Sequence, residues 1–264
     1  MIDGREDQAA GLRRLFRKSP PTVVAMFATG HKAQLSAARA VTEIGKQAHR
    51  VLVLDEAAGE ASLADIWGHA PAKDLLHVLD ERETVDGLVL PVEGLMGRLP
   101  ITAAAMAMPL LDDERRASLL GTIRHLQRRT RFMMVHASPA SLDAPSPFVF
   151  AAPKRLVVVE ASGRGVTEAY ACIKSLAALG AGAVHVAVAR AKDRADARSM
   201  FARLEDLVRA RVGIPLAWAG EIERDALADA LLHDAGRMPP AEAEAAFLRR
   251  LQGWKQGGLQ SARM

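Results

Sequence analysis

Residues 22–56 read TVVAMFATGHKAQLSAARAVTEIGKQAHRVLVLDE, and this stretch decides the fold. It begins with an apolar run, Val23 to Phe27, of the length and composition of a buried strand. A polar turn, Ala28 to Leu35, and a helix-forming stretch, Ser36 to Ala48, come next. A second apolar run then ends in Asp55. This order predicts two parallel strands joined by a helix.

The turn lies where a P-loop protein carries its phosphate-binding loop. Such a loop needs several glycines, so that successive backbone N–H groups can turn toward the anion, and a lysine next to Ser or Thr. Here the turn and the first helical residue read ATGHKAQLS, with Gly30 as the single glycine. Gln34 or Leu35 falls where the lysine should be. The sequence therefore predicts the scaffold of a nucleotide site without its phosphate cradle.

Composition limits the class of protein. With 264 residues, of which 50% are hydrophobic, the chain fits one large α/β domain. It has no apolar run long enough to cross a membrane, and its polar first residues do not read as a signal peptide. The single Cys172 excludes an internal disulfide and a cysteine zinc site, so we expect a cytoplasmic protein.

The chain is basic, with a net charge of +4 and a pI near 9.5. A basic balance can favour nucleic acid or anionic lipid, but it also results from arginine on a solvated surface. Aromatic residues make up only 4% of the chain, and no basic stripe is interleaved with them. We therefore expect no nucleic-acid partner.

After residue 21, short apolar runs alternate with helical patterns. The predicted strands are residues 23–27, 51–54, 88–92, 132–135, 156–159, 184–189 and 214–218. The predicted helices are residues 36–48, 71–80, 112–129, 166–179, 193–210, 224–233 and 240–254. Strands without polar alternation are covered on both faces, and β–α alternation indicates a parallel sheet. The predicted fold is a doubly wound, mostly parallel α/β domain over residues 22–256, followed by a polar tail, 257–264.

Residues 1–21 form a separate N-terminal arm and linker. The linker is Pro20-Pro21, which stops a helix. The segment before it has one apolar helical face, with arginines around the rest; the apolar residues are Ala9, Leu12, Leu15 and Phe16. A solvated helix without a partner is one interpretation. Because large apolar residues would stay exposed on it, we favour a helix that binds a groove in a partner.

The last predicted helix also has an apolar face, made of Phe247, Leu248, Leu251 and Trp254, beside basic residues. A basic amphipathic helix can lie on a membrane, and a helix docked on the sheet has the same pattern. The tail after it is too short and polar to supply a membrane helix. We therefore favour docking, with weak or indirect membrane association.

Three segments together resemble FlhG, also called FleN, the flagellar-number regulators of the MinD/ParA group. The arm DQAAGLRRL, residues 7–15, resembles the family motif D-Q-A-x-x-L-R. VTEAYACIK, residues 166–174, is similar to the family stretch that contains T-D-A-Y-A-x-I-K, and LDEAAG, residues 54–59, stands where the family has L-D-A-D-x-G. The similarity covers nearly the whole chain and implies a P-loop NTPase fold of the MinD/ParA type.

The resemblance implies partners as well. In that family the arm engages FlhF, a GTPase of the signal-recognition-particle type, and stimulates its hydrolysis. The body is an ATPase that dimerises around ATP, and it touches flagellar switch proteins and, in some members, a transcriptional activator. Carried over residue by residue, the partner-binding set is Asp7, Gln8, Ala9, Leu12, Arg13, Leu15 and Phe16.

The chain departs from the family at three elements of one reaction. The glycine-rich loop G-K-G-G-V-G-K-[ST] is absent, Ala57 replaces the second aspartate of D-x-D, and His136 replaces the switch-two aspartate. Phosphoryl transfer relies on positioned positive charge and metal, so these losses should abolish catalysis. We expect no catalytic residue, no bound metal and no cofactor.

What remains is a vestigial nucleotide pocket, for which we nominate Gly30, Lys32, Ser36, Asp55 and His136. Asp55 is either a residual magnesium-side carboxylate or, the reading we favour, a strand-end cap. Lys32 either reaches an anion or, as we favour, is solvated. A metal held by His31 and His136 would need a third ligand that the spacing does not supply.

The hypothesis from sequence is a cytoplasmic, non-catalytic regulator of flagellar assembly, recruited to the cell pole or the inner membrane face. It would bind an FlhF-type GTPase through residues 5–18, with flagellar switch proteins or a transcriptional activator as further partners. One alternative is an ATPase of the MinD/ParA group that still binds ATP and magnesium through an unorthodox loop. Another is a MinD-like adaptor for a different polar or secretion system.

Overall fold

The computed structural model describes residues 21–80, 83–181, 183–232 and 240–254, and of residues 240–245 it describes the backbone alone. The predicted partner-binding residues of the arm lie outside the described residues: Asp7, Gln8, Ala9, Leu12, Arg13, Leu15 and Phe16. The polar tail lies outside them as well. The body between these ends carries the fold.

Strands and helices alternate along the body. The strands are β1 (Thr22–Thr29), β2 (Val51–Asp55), β3 (Gly97–Pro100), β4 (Phe132–His136), β5 (Lys154–Glu160), β6 (Val184–Ala189) and β7 (Leu216–Glu221). The helices are α1 (Ala33–Ala48), α2 (Val85–Leu88), α3 (Thr102–Ala107), α4 (Asp113–Arg129), α5 (Pro147–Ala151), α6 (Gly163–Ala178), α7 (Arg194–Arg211), α8 (Leu227–Leu232) and α9 (Pro240–Gln252). Short 3₁₀ segments fill several of the connections.

The seven strands form one sheet in the order β3-β2-β4-β1-β5-β6-β7, and every pair of neighbours is parallel. Strand β1 lies between β4 and β5. Strands β2, β3 and β4 lie on one side of it and β5, β6 and β7 on the other, so the strand order reverses at β1. The predicted doubly wound α/β fold is confirmed. In folds of this kind ligands bind in the crevice at the carboxyl ends of the strands, where the order reverses.

Both faces of the sheet are covered, as the continuous apolar strands predict. In β1, Val23, Ala25 and Phe27 belong to one buried cluster, while Val24 and Met26 belong to the other. Helices α1 and α8 pack on the second face, and α4, α6, α7 and α9 pack on the first. Each large apolar side chain buried in this way contributes about 1.5–3 kcal/mol of transfer free energy.

One predicted strand is wrong. Residues 88–92 do not form a sheet strand, and the strand at this edge is β3, which ends in Pro100. Leu90 instead makes an isolated antiparallel bridge to Arg98. The sequence of β3, GRLP, has no apolar run. Its central residue, Arg98, is buried because it forms an ion pair with Asp55 and not because it is hydrophobic.

Two other predicted elements are displaced or reduced. The predicted strand 214–218 begins and ends later, as β7, and the predicted helix 71–80 is a 3₁₀ segment, Leu75–Asp80. The remaining strands agree with the prediction to within two residues at each end, and the predicted helices 36–48, 112–129, 166–179, 193–210, 224–233 and 240–254 to within three.

The C-terminal helix α9 docks on the body. Phe247 and Leu251 are fully buried, and the ring of Trp254 lies against Phe150 with 4.7 Å between centroids. The predicted docking of this apolar face is confirmed. Within the described residues, no helix is long and apolar enough to cross a bilayer.

Candidate functional site

The carboxyl ends of β2, β4 and β1 lie side by side, and they place two of the predicted pocket residues in contact. Asp55 is the last residue of β2 and His136 the last of β4, and the register of the sheet makes them partners. Asp55 Oδ1 lies 2.8 Å from His136 Nδ1. Both side chains are buried.

The other oxygen of Asp55 accepts three hydrogen bonds. Arg98 Nε donates at 2.7 Å, Ser62 Oγ at 2.8 Å and the Leu63 backbone N–H at 3.0 Å. Arg98 also donates from Nη2 to Ser62 Oγ at 2.9 Å. The carboxylate is therefore enclosed by a buried network that occupies both of its oxygens.

Burial by itself raises the pKa of Asp55, since a charged group is disfavoured away from water. The hydrogen bond and charge of His136, and then the charge of Arg98, act in the opposite direction. The pKa of Asp55 lies below its ordinary value as a result. Asp55 is the centre of a buried network that pairs it with Arg98 and His136.

The turn between β1 and α1 is short, and internal carboxylates take its backbone N–H groups. Only Gly30 to Lys32 separate the two elements. The Lys32 N–H donates to Glu160 Oε2 at 2.7 Å, and the Gly30 N–H donates to Glu168 Oε2 at 2.8 Å. N–H groups at the start of a helix are the groups that bind phosphate in P-loop proteins. Here two carboxylates take the place of that anion.

Gly30 is required by the same contact. Its φ is +105°, and a Cβ at this position would lie 2.5 Å from Cβ of Glu160. A larger residue would therefore both strain the backbone and displace the carboxylate. The one glycine left in the turn serves the approach of Glu160.

Glu168 is held in place from α6. Arg164 Nε donates to Glu168 Oε1 at 2.6 Å, one helical turn away. Burial acts to raise the pKa of Glu168, but the Gly30 N–H, Arg164 and the charge of His31 lower it below its ordinary value. These interactions favour the ionised form of Glu168.

The side chains of Lys32 and Ser36, the other nominated residues, take no part in these contacts. The side chain of Lys32 is exposed. Ser36 is buried in the first turn of α1, and its Oγ has no hydrogen-bond partner in the described part of the chain. His31 Nδ1 lies 3.4 Å from Arg164 Nη1, whereas His136 contacts Asp55. Two N–H groups of the turn and the carboxylate of Asp55 are thus paired within the chain.

Sequence reasoning did not select three residues that complete this site. Glu168 lies inside the segment 166–174 that resembles the family, but the resemblance assigned it no structural role. The signal that could have identified Glu160 is its position, because it is a charged residue directly after the apolar run of β5. For Arg98 no signal existed, because it lies in a strand that the apolar pattern does not reveal.

Comparison with known proteins finds a relative by sequence and solved structures with a similar fold. No protein-family model matches the chain. The chain is 25% identical over 189 residues to the antiactivator FleN of Pseudomonas aeruginosa, and the match covers 71% of this chain and 66% of that protein. It thus spans a little under two thirds of the relative's length.

Two solved structures resemble the fold. One is a chain of the MinC:MinD cell division protein complex of Aquifex aeolicus, with a TM-score of 0.51 and 20% identity, covering 89% of this chain and 97% of that one. The other is a ParA family ATPase from Chlorobium tepidum TLS, with a TM-score of 0.52 and 16% identity, covering 89% and 99%. These likenesses show the fold alone, a doubly wound α/β architecture.

Proposed function

We propose that this chain, a FleN/FlhG-type protein of the MinD/ParA group, regulates flagellar assembly by binding a partner protein and without hydrolysing ATP. The proposal that ATP is not hydrolysed is supported by one observation, the pairing of Glu160 and Glu168 with N–H groups of the turn. An ATP phosphate would have to displace both carboxylates, or approach them against charge repulsion.

The magnesium side supports the same proposal. A metal ion would need an oxygen of Asp55, yet both oxygens are engaged by His136, Arg98, Ser62 and the Leu63 N–H. Removing the carboxylate from this network would leave the buried guanidinium of Arg98 without its ion-pair partner, which is costly. The body would therefore keep its fold and its conformation independently of nucleotide.

Thermal unfolding with ATP and magnesium tests this. A real site stabilises the folded state by RT ln(1 + [L]/Kd), about 2.7 kcal/mol at a hundredfold excess over Kd. We expect no shift of the melting temperature at millimolar ATP and no hydrolysis above a buffer blank, while an intact MinD/ParA-type ATPase assayed in parallel shows both. A stabilisation that requires magnesium, or turnover in a preparation free of contaminating ATPase, would overturn the proposal.

The partner is an FlhF-type GTPase, bound through the arm. Support comes from the sequence DQAAGLRRL, residues 7–15, whose apolar helical face precedes the Pro20-Pro21 linker. Flagellar switch proteins or a transcriptional activator are further partners in this proposal, with the body as their contact surface. The protein acts in the cytoplasm and reaches the cell pole or the inner membrane face through these partners, with at most weak membrane contact of its own.

Calorimetric titration of an FlhF-type GTPase with the full chain, and with a variant that lacks residues 1–20, tests the role of the arm. We expect binding by the full chain and none by the deletion variant. The melting temperatures of the two proteins should be nearly equal. Full-strength binding by the deletion variant would place the interface on the body instead.

A further inference from the structure

A cavity of about 510 Å³ lies beside the site but outside its network. It opens between the segment after β2, the helix α3 and the segment that leads from β4 to α5. Its volume falls in the range of small-molecule pockets, roughly 300–1,000 Å³. None of the contacts of Asp55, Glu160 or Glu168 uses this space.

The walls of the cavity are apolar apart from one carboxylate, four hydroxyl groups and the indole N–H of Trp254, which has no hydrogen-bond partner among the described residues. The apolar lining is formed by Ala57, Ala61, Ala105, Met106, Pro109 and Trp254, among others. Met106 is 70% exposed at the rim, unusual for a large apolar side chain. Among the described residues that line the cavity, Glu56 is the one charged group.

Glu56 is held at the cavity wall from three directions. Its backbone N–H donates to the His136 carbonyl at 2.9 Å, and its own carbonyl accepts from Thr102 Oγ1 at 3.0 Å. Ser146, the N-cap of α5, donates its hydroxyl hydrogen to Glu56 Oε2. The carboxylate is thereby fixed in position, and no cation of the described residues forms an ion pair with it.

This environment leaves the carboxylate short of positive charge. Burial, together with the neighbouring charge of Asp55, raises the pKa of Glu56 to about 7 against the effect of the Ser146 hydrogen bond. A buried carboxylate is stabilised by a cation within reach, as Arg98 does for Asp55 one residue away. Asp55 is paired with the cation of Arg98, whereas Glu56 lines an open cavity.

We propose that the cavity binds a small organic cation, whose protonated amine pairs with Glu56 while its short apolar body packs against the alanine, proline and tryptophan walls. The sign of the ligand follows from the single carboxylate, and the apolar body follows from the lining. The hydroxyl groups of Ser146 and Thr102 supply further acceptors for the ammonium hydrogens. The site is separate from the turn that binds Glu160, so it does not depend on the proposed function.

Calorimetric titration of the full chain with n-butylammonium at about pH 8, where Glu56 is largely ionised, tests this. We expect a dissociation constant in the millimolar range, because ligands of a few heavy atoms bind weakly in absolute terms. Neutral 1-butanol should bind at least tenfold more weakly, and butyrate should not bind. Equal binding of butylammonium and butanol would overturn the assigned role of the carboxylate.

Two variants locate the site. Glu56→Gln keeps the shape of the side chain and should weaken butylammonium binding at least tenfold. Glu60→Gln removes the same charge four residues further on, from an exposed position outside the lining, and should leave binding unchanged. Ala61→Phe should block binding by filling the cavity. Undiminished binding by both Glu56→Gln and Ala61→Phe would place the ligand elsewhere and refute the proposal.

Discussion

Glu160 Oε2 accepts the Lys32 backbone N–H at 2.7 Å, so the last residue of β5 supplies an anion to the start of α1. In a phosphate-binding loop the anion comes from the ligand. Here it comes from the chain, and Glu168 supplies a second one to Gly30. Side chains of the chain itself therefore satisfy two N–H groups of this turn, in which Gly30 is the single glycine.

The first prediction concerns this substitution of carboxylate for phosphate. Glu160→Ala should lower the free energy of unfolding by about 1–3 kcal/mol, because it leaves a helix N-terminal N–H without its charged acceptor. Glu223→Ala is the control, since Glu223 pairs with Arg39 on the surface, where such pairs contribute about 1 kcal/mol or less. Urea unfolding measures both. Equal effects would mean that the Glu160 contact contributes no more than a surface pair.

The second prediction concerns the buried ion pair between Arg98 and Asp55. Arg98→Met removes the guanidinium and leaves Asp55 buried, so unfolding should become easier by about 3–5 kcal/mol. Arg39→Met, which breaks an exposed pair, should cost less than about 1 kcal/mol. If Arg98→Met behaved like its control in urea unfolding, His136 and the two other donors to Asp55 would suffice without the arginine.

The third prediction is a pH dependence from Glu56. Its pKa is raised from 4.5 to about 7 in the folded state, so the folded chain binds the proton more tightly than the unfolded chain. Its contribution to the free energy of unfolding is fully present below the pKa of the unfolded chain and is lost as the pH rises through about 7. The loss amounts to about 3–4 kcal/mol at most. Stability from this group therefore falls, rather than rises, toward neutral pH.

Glu56→Gln isolates that contribution. The variant should be more stable than the wild type at about pH 8, and the difference should shrink as the pH is lowered to about 5. Glu60→Gln, at an exposed position, should show no such convergence. Urea unfolding across this range measures it, and a stability difference independent of pH would show that Glu56 titrates normally.

The fold was predictable from sequence because its signal is hydrophobic. Strands such as β1 and β4 are apolar except at their ends and are buried on both faces, so composition alone locates them. β3 was missed for the opposite reason. Arg98 is buried through its bond to Asp55, and that bond depends on a neighbour distant in the chain.

For the site, the sequence predicted only which nucleotide-binding residues are missing. The missing glycines and the replacement by His136 are visible in the residues, and they point to a degraded nucleotide pocket. What fills the pocket was not visible, since Glu160 lies 128 residues from Lys32 and only the fold brings them together. The contact of Asp55 with His136 was accessible in part, as two strand ends that adjoin in a parallel sheet.

The last prediction concerns the arm. If residues 9–16 bind a groove in an FlhF-type GTPase as a helix, Leu12 lies at the centre of the apolar face and Arg17 toward its end. Truncating a central buried anchor commonly costs about 2 kcal/mol or more, whereas a rim charge costs less and mainly changes the salt dependence. We expect Leu12→Ala to weaken binding more than tenfold and Arg17→Ala less than about threefold in calorimetry. Both variants should melt at the wild-type temperature, because the changes lie outside the body. Equal effects of the two changes, both reduced by added salt, would instead describe an electrostatic tether in which the apolar face has no role.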